Sequence, residues 1–263
     1  MSGPRSEVAA RAGALLRLHR DPALLTVVNI WDAVSAAVVA ARPGTTALAT
    51  ASHSIAASRG YPDGEVIGVD EMIEEVRRIV AAVDLPVSAD LEGGYGNAPE
   101  TIRKAIGVGA VGANIEDQLK PLTEAARQVE AVMAAAEAEG VPDFVLNART
   151  DAFLRAGDRD PADVLADATA RGRAFLDAGA PVVFVPGRLS EPQVAHLSDA
   201  FGPQRLTLIG VPGSISLARM ADLGVARVSY GPWSQRVALT ALASLVEAVH
   251  NGSGLPDGTR VLN

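Results

Sequence analysis

Eight times along its 263 residues the chain follows a short apolar run with a longer amphipathic segment, and no other feature restricts its fold so much. A brief apolar run reads as a strand buried on both faces, and the 3.6-residue period after it reads as the helix that covers it. The strand candidates are Leu25 to Ile30, Ala47 to Ala51, Pro86 to Ala89, Gly112 to Ile115, Phe144 to Asn147, Val182 to Val185, Leu206 to Ile209 and Ala226 to Ser229. A helix from about Ser6 to His19 precedes them, and Val69 to Val83, Thr123 to Glu139 and Pro161 to Ala178 are helices between them. Gly140 and Gly179 close two of these, and Gly109, Gly202 and Gly224 close three others. Such units either lie open as a doubly wound sheet or close on themselves. Eight of them in this length, without a break in composition, predict an α/β fold of the (β/α)8 TIM barrel type, a single domain over residues 1–263.

Composition agrees. Hydrophobic residues make up 48% of the chain and aromatic ones only 4%, which predicts a core of Ala, Val, Leu and Ile. The last helix, about Ser234 to His250, carries Val237, Leu239, Leu242, Leu245, Val246 and Val249 around most of its circumference. A helix of this kind seeks burial on more than one face, so a homodimer or homotetramer is expected. The net charge of -8 disfavours nucleic acid as a partner. No apolar stretch approaches the roughly 20 residues a bilayer span requires, and the N-terminus lacks a signal-peptide core, so no membrane partner and a cytoplasmic location are expected. The chain has no cysteine, which excludes thiolate metal sites and a cysteine nucleophile. Its only lysines are Lys104 and Lys120, the first within a helix, which disfavours Schiff-base chemistry. The run Gly93-Gly94-Tyr95-Gly96 lacks the spacing of a dinucleotide fingerprint.

Barrel enzymes carry their chemistry at the C-terminal ends of the strands. Those ends read Trp31-Asp32, Ser52-His53-Ser54, Asp90 through Gly96, Glu116-Asp117-Gln118, Arg149-Thr150-Asp151, Pro186-Gly187, Pro212-Gly213 and Ser229 through Pro232. The two-residue alternation of a strand predicts that Asp90 and Glu92 point the same way, with Glu116 on the neighbouring strand. Three carboxylates meeting at one mouth call for a cation, and hard oxygen ligands suit Mg2+ or Mn2+; the alternative is that these acids cap helices or pair with arginines. Arg149 is the natural counter-charge for a substrate carboxylate, unless it pairs with Glu116 or Asp151. Of four histidines, only His53 stands at a strand end, as an acid or base, a carboxylate ligand, or a loop residue bonded to backbone. Tyr95 either offers its hydroxyl to substrate or packs, and Tyr230 is read as structural.

At these residues the chain resembles the isocitrate lyase/phosphoenolpyruvate mutase superfamily. Asn29-Ile-Trp-Asp-Ala-Val-Ser35, Ile55 through Gly64, Ala89-Asp-Leu-Glu-Gly-Gly-Tyr-Gly96, Ala113-Asn-Ile-Glu-Asp117 and Asn147-Ala-Arg-Thr-Asp151 are similar to its successive barrel-mouth motifs, in order, and the match runs on to Ser229-Tyr-Gly-Pro232. The resemblance implies Mg2+ held mostly directly by Asp90, with Asp63, Glu92 and Glu116 reaching it through waters. It implies a pyruvate-like unit whose carboxylate lies against Ser52, His53 and Ser54, and an enolate developing near Arg149; Trp31 and Asp32 complete the expected substrate contacts. It also implies that the last helix packs on or exchanges with a neighbouring subunit.

The departures narrow the chemistry. The family's lyases carry a Lys-x-Cys-Gly-His type motif on the loop after the fourth strand, whose cysteine delivers a proton, and its mutases carry an asparagine there. Here Glu116-Asp-Gln-Leu-Lys-Pro-Leu-Thr123 contains neither Cys nor His nor Asn, and Val185-Pro186-Gly187 replaces a glutamate of the methylisocitrate lyases. The expected function is a Mg2+-dependent lyase that breaks a carbon-carbon bond in a small 2-oxo or 2-hydroxy carboxylate through an enolate, with isocitrate and 2-methylisocitrate as poor substrates. The alternatives are an oxaloacetate-type decarboxylase or hydrolase, a phosphonate carbon-phosphorus enzyme, and a non-catalytic binding protein for 2-oxo acids.

Overall fold

A computed structural model of the chain describes residues 4–262. After α1 (Pro4–Arg20) the elements are β1 (Leu25–Val27), β2 (Asn29–Ile30), α2 (Ala33–Ala40), β3 (Leu48–Thr50), α3 (Ser52–Ser58), α4 (Val69–Ala81), β4 (Val87–Asp90), α5 (Ala98–Gly107) and β5 (Gly112–Glu116). They continue with α6 (Leu122–Ala138), β6 (Val145–Arg149), α7 (Pro161–Asp177), β7 (Val182–Phe184), α8 (Glu191–Phe201), β8 (Leu206–Ile209), α9 (Leu217–Asp222), β9 (Arg227–Ser229) and α10 (Trp233–His250). All strand pairings are parallel, in the order β1-β9-β8-β7-β6-β5-β4-β3-β2. This is the expected (β/α)8 barrel.

The first stave departs from the uninterrupted strand Leu25 to Ile30. It breaks at Val28, which is exposed, into one piece that pairs with β9 and another that pairs with β3. The Asn29 side chain holds the closure together. Its Oδ1 accepts from the backbone N–H of Tyr230 and Gly231, both at 2.7 Å, and its Nδ2 donates to the carbonyl of Thr50 at 2.8 Å. One amide thus joins both neighbours of the stave, and a sequence pattern contains nothing that announces it.

The helix ends follow local chemistry. Gly140 and Gly179, just past α6 and α7, stand at φ +80 and +98, where a Cβ is strained. Asp32 accepts from Ser35 N at 2.6 Å and caps α2, and Asn97 caps α5. In the glycine-rich turn, a Cβ on Gly94 would come within 2.6 Å of Ala98 Cα, so glycine lets α5 begin against the turn.

The barrel interior is partly polar. Asn147 Nδ2 donates to Asn114 Oδ1 at 2.7 Å, and Thr207 Oγ1 donates to Asn147 Oδ1 at 2.5 Å. Arg227 of β9 and His19 of α1 are fully buried as well; burial, then the Arg227 charge, push the His19 imidazole down to about 3, so it stays neutral. Within one chain the last helix leaves uncovered the apolar face expected to pack on a neighbour: Gln235 is its buried residue, while Val237, Leu239, Leu242, Val246 and Val249 are exposed. Among the described residues no helix is long and apolar enough to cross a membrane.

Candidate active site

A cavity of about 340 Å3 opens at the C-terminal ends of the strands. A larger hollow, about 460 Å3, lies at the other end of the barrel between Leu16, Phe144 and Arg205, with Asp143 as its one acid. The ionisable groups converge at the first, which is therefore the candidate site. Ser52, Asp63, Asp90, Asn114 and Arg149 form its polar side, and Phe184, Ile209, Val211 and Trp233 its apolar side.

Asp90 is the last residue of β4, and one of its oxygens is locked. Oδ2 accepts from Ser52 N at 2.9 Å and from Ser52 Oγ at 2.7 Å, while among the described residues Oδ1 has only Asn114 Nδ2, at 3.5 Å. Its backbone N–H donates to Thr50 Oγ1 at 2.8 Å, which fixes the strand end. Ser52, His53 and Ser54 are not the expected loop but the first turn of α3, where Asp90 Oδ2 takes the Ser52 N–H and the Ala51 carbonyl takes the Ser54 N–H, leaving the His53 N–H without a partner among the described residues. A helical turn cannot aim three successive side chains alike. His53 lines the cavity with its Nδ1 at 3.4 Å from Asp63 Oδ2, whereas Ser54 is buried behind it, and the Ser54 carbonyl accepts from Gln235 Nε2 at 3.0 Å.

The alternation argument for Glu92 does not hold, because β4 ends at Asp90 and Glu92 sits in a turn at φ +52. Its carboxylate is nonetheless buried beside the mouth, where it accepts from Glu65 N and, at 3.3 Å, from the Tyr95 hydroxyl. The Tyr95 hydroxyl is thereby spent on Glu92 and does not line the cavity; burial, then the Glu92 charge, raise its pKa. Burial, reinforced by Asp63 and Asp90, pushes Glu92 up to about 7. Glu116 ends β5 and is likewise pushed up to about 7 by burial, which outweighs the opposing pull of Arg149.

Arg149 ends β6 and is paired on both sides. Nη1 lies 2.8 Å from Glu116 Oε2, and Nε and Nη2 each lie 2.8 Å from Asp151 Oδ1. The guanidinium is a wall of the cavity already held by two carboxylates rather than a free counter-charge. Trp31 and Asp32 stand elsewhere, in a shallow groove with Val28, Val34 and Val38, because Asp32 is committed to capping α2. Asn114 was missed by inspection of strand ends alone, yet it lies two residues before Glu116 on the same strand face. Trp233 and Arg236 were also missed, since α10 reads as an apolar helix.

Among the described residues no three acidic or histidine side chains already form a metal cage. The donor set fits Mg2+ in a looser way. All its donors are oxygens, Asp90 keeps one lightly engaged, and burial, with added repulsion from Asp90, holds Glu92 and Glu116 above the usual carboxylate range, a state that a cation would relieve. Mg2+ holds several waters and needs one or two direct carboxylates, so a ring of acids beyond direct reach suits it.

The model of the phosphoenolpyruvate phosphomutase family matches residues 15–250. An oxaloacetate decarboxylase of Paraburkholderia xenovorans is 31% identical, over 87% of this chain and 79% of that one. A 2-methylisocitrate lyase of Escherichia coli is 29% identical, over 82% and 75%. A solved Burkholderia cenocepacia structure, provisionally named a phosphonomutase, superposes with a TM-score of 0.85 at 39% identity, over 91% of this chain and 98% of its own.

Proposed function

This chain belongs to the phosphoenolpyruvate mutase/isocitrate lyase superfamily, and we propose that within it the protein is a Mg2+-dependent lyase for a small 2-oxo or 2-hydroxy carboxylate. The observation that carries this reading is the pairing, across one cavity, of a half-locked Asp90 with an Arg149 held rigidly by two carboxylates. Asp90 would hold the metal directly, and Asp63, Glu92 and Glu116 through waters. When bound, Mg2+ supplies a Lewis acid for the negative charge that develops on the substrate. Ser52 holds Asp90 in place, the His53 N–H in the first turn of α3 is left to meet the substrate carboxylate, and Arg149 offers fixed N–H donors to the growing enolate charge, needing no reorganisation. His53, with Asp63 beside it, is the group at the mouth able to hold or move a proton at Nε2. Phe184, Pro186 and Val211 exclude water from one side.

The segment between β5 and α6 favours compact substrates. It is a short fixed turn: Leu119 N donates to Asp117 Oδ1 at 3.0 Å, and Arg171 Nη1 donates to Asp117 Oδ2 and to the Lys120 carbonyl. It contains neither a thiol nor an imidazole, and the Lys120 ammonium is engaged by Gln128 Oε1 at 3.0 Å. Departure of CO2 needs no general base, so an oxaloacetate-type decarboxylase is the second reading. Assay of the purified protein with Mg2+ against a panel of 2-oxo and 2-hydroxy acids, scored by pyruvate or glyoxylate release, is expected to show turnover on compact acids and little on isocitrate or 2-methylisocitrate. Binding without product would leave a non-catalytic 2-oxo acid binder, and efficient glyoxylate release from isocitrate would overturn the compact-substrate reading.

The exposed stripe of α10 supports a homo-oligomer, dimer or tetramer, in which a neighbour covers Val237, Leu239, Leu242, Val246 and Val249. Light scattering at micromolar concentration is expected to give a multiple of 27.1 kDa. A single 27.1 kDa species would refute it.

A further inference from the structure

Three basic side chains line the mouth cavity, His53, Arg149 and Arg236. The first two stand against acids: His53 against Asp63, and Arg149 between Glu116 and Asp151. Arg236, in the first turn of α10, has no carboxylate at ion-pair distance among the described residues, and its guanidinium instead lies 4.7 Å over the ring of Trp233. Stacking on an indole holds the planar group in place and leaves its edge N–H donors free, so an anion can be met at small conformational cost.

The cavity is also divided. Strands β3 to β6 and the turns after them supply Ser52, Asp90, Asn114 and Arg149, whereas β7 to β9 and α10 supply an apolar strip of Phe184, Ile209, Val211 and Trp233. A 2-oxo acid head belongs to the polar half, and its carbon chain then runs along the strip. On that side Arg236 is the cation that lines the cavity. We propose that Arg236, backed by Trp233, is a specificity-determining residue that receives the far anionic group of a dianionic substrate, a 2-oxo or 2-hydroxy acid bearing a second carboxylate or a phosphonate. The proposal rests on the reading of the mouth as a 2-oxo acid site and adds which acids it selects. A monoanionic acid can satisfy the polar half, but it leaves the guanidinium to water and gains nothing there.

The test is calorimetric titration of the full chain, with Mg2+, by two matched pairs: 2-oxopentanoate against 2-oxoglutarate, and 2-oxobutyrate against phosphonopyruvate. A charge-assisted hydrogen bond at a partly exposed site is worth about tenfold in affinity, so at least one dianion is expected to bind about tenfold more tightly than its partner. Which dianion does so identifies the far group as carboxylate or phosphonate. Arg236→Gln should erase that preference while the monoanion changes by less than about twofold, and Arg236→Lys should keep part of it. Equal weakening of both members of a pair by Arg236→Gln, or no preference in the unmodified protein, overturns the assignment. If no 2-oxo acid binds at all, the reading of the mouth fails first; if the monoanions bind and Arg236 does not matter, only this inference fails.

Discussion

Replacement of Asp90 by alanine is expected to lower turnover by at least about 10²- to 10³-fold, the cost of losing one preorganised stabiliser of developing negative charge. Asp90 is anchored by both the backbone N–H and the hydroxyl of Ser52 and still lines the cavity. On the proposed reading its loss would remove the direct oxygen ligand and leave Asp63, Glu92 and Glu116, which would act only through waters. The same change has a cost beneath the site. Arg227 is fully buried, with Nε and Nη2 lacking partners among the described residues, and Asp90 is the charge that favours its protonated form against burial. Asp90→Ala is therefore expected to lower the melting temperature as well, and Asp90→Asn, which keeps an oxygen for Ser52 but not the charge facing Arg227, is expected to lower it less. In both variants Mg2+ binding measured by calorimetry should fall with the rate. Undiminished turnover in either variant, or in the unmodified protein with excess EDTA, would remove the metal from the mechanism.

Arg149→Ala is the second large effect, a loss of about 10²- to 10³-fold expressed mainly in kcat rather than KM. The reasoning is geometric. A guanidinium already bound to Glu116 and Asp151 is neutralised in the ground state, so it adds little to substrate binding. It gains most when negative charge grows in the cavity beside it. Removal also takes Glu116's ion-pair partner and leaves Asp151, 1% exposed at its side chain, with only the more distant Arg155 Nε at 3.4 Å, and breaking a buried pair in this way costs up to about 3–5 kcal/mol of stability. Arg149→Lys should recover stability only in part, because an ammonium cannot span both carboxylates as the planar fork does. Steady-state parameters for the best substrate of the panel, with thermal melting of each variant, check both parts. A variant with raised KM and intact kcat would show that Arg149 acts as a simple binding residue.

The exposure of α10 and the doubled pairing of Arg149 mark where reading residues in order reaches its limit. Apolar periodicity said that α10 has a face to bury, and it does, but no property of that segment says whether the covering surface lies in the same chain. The fork of Arg149 was recognisable as a grip for carboxylates. Which carboxylates it grips follows from β5 and β6 being neighbours in register, Glu116 opposite Arg149.

What the sequence determined alone is what depends on local periods: eight buried strands alternating with helices, the turn residues that stop them, and hence the acids gathered at the strand ends. Those follow from the two-residue and 3.6-residue repeats, which each segment carries within itself. Only the tertiary structure decided the rest. Barrel closure brought Asn29 to the ends of β3 and β9, and the onset of α3 gave Ser52 to Asp90 while turning Ser54 inward. A left-handed turn, not strand alternation, set Glu92, and the return of α10 over the mouth added Trp233 and Arg236. Each is a contact between residues far apart in the chain, fixed by distances of a few ångströms that exist only once every stave is in register, and a hydrogen bond or an ion pair is decided at that scale.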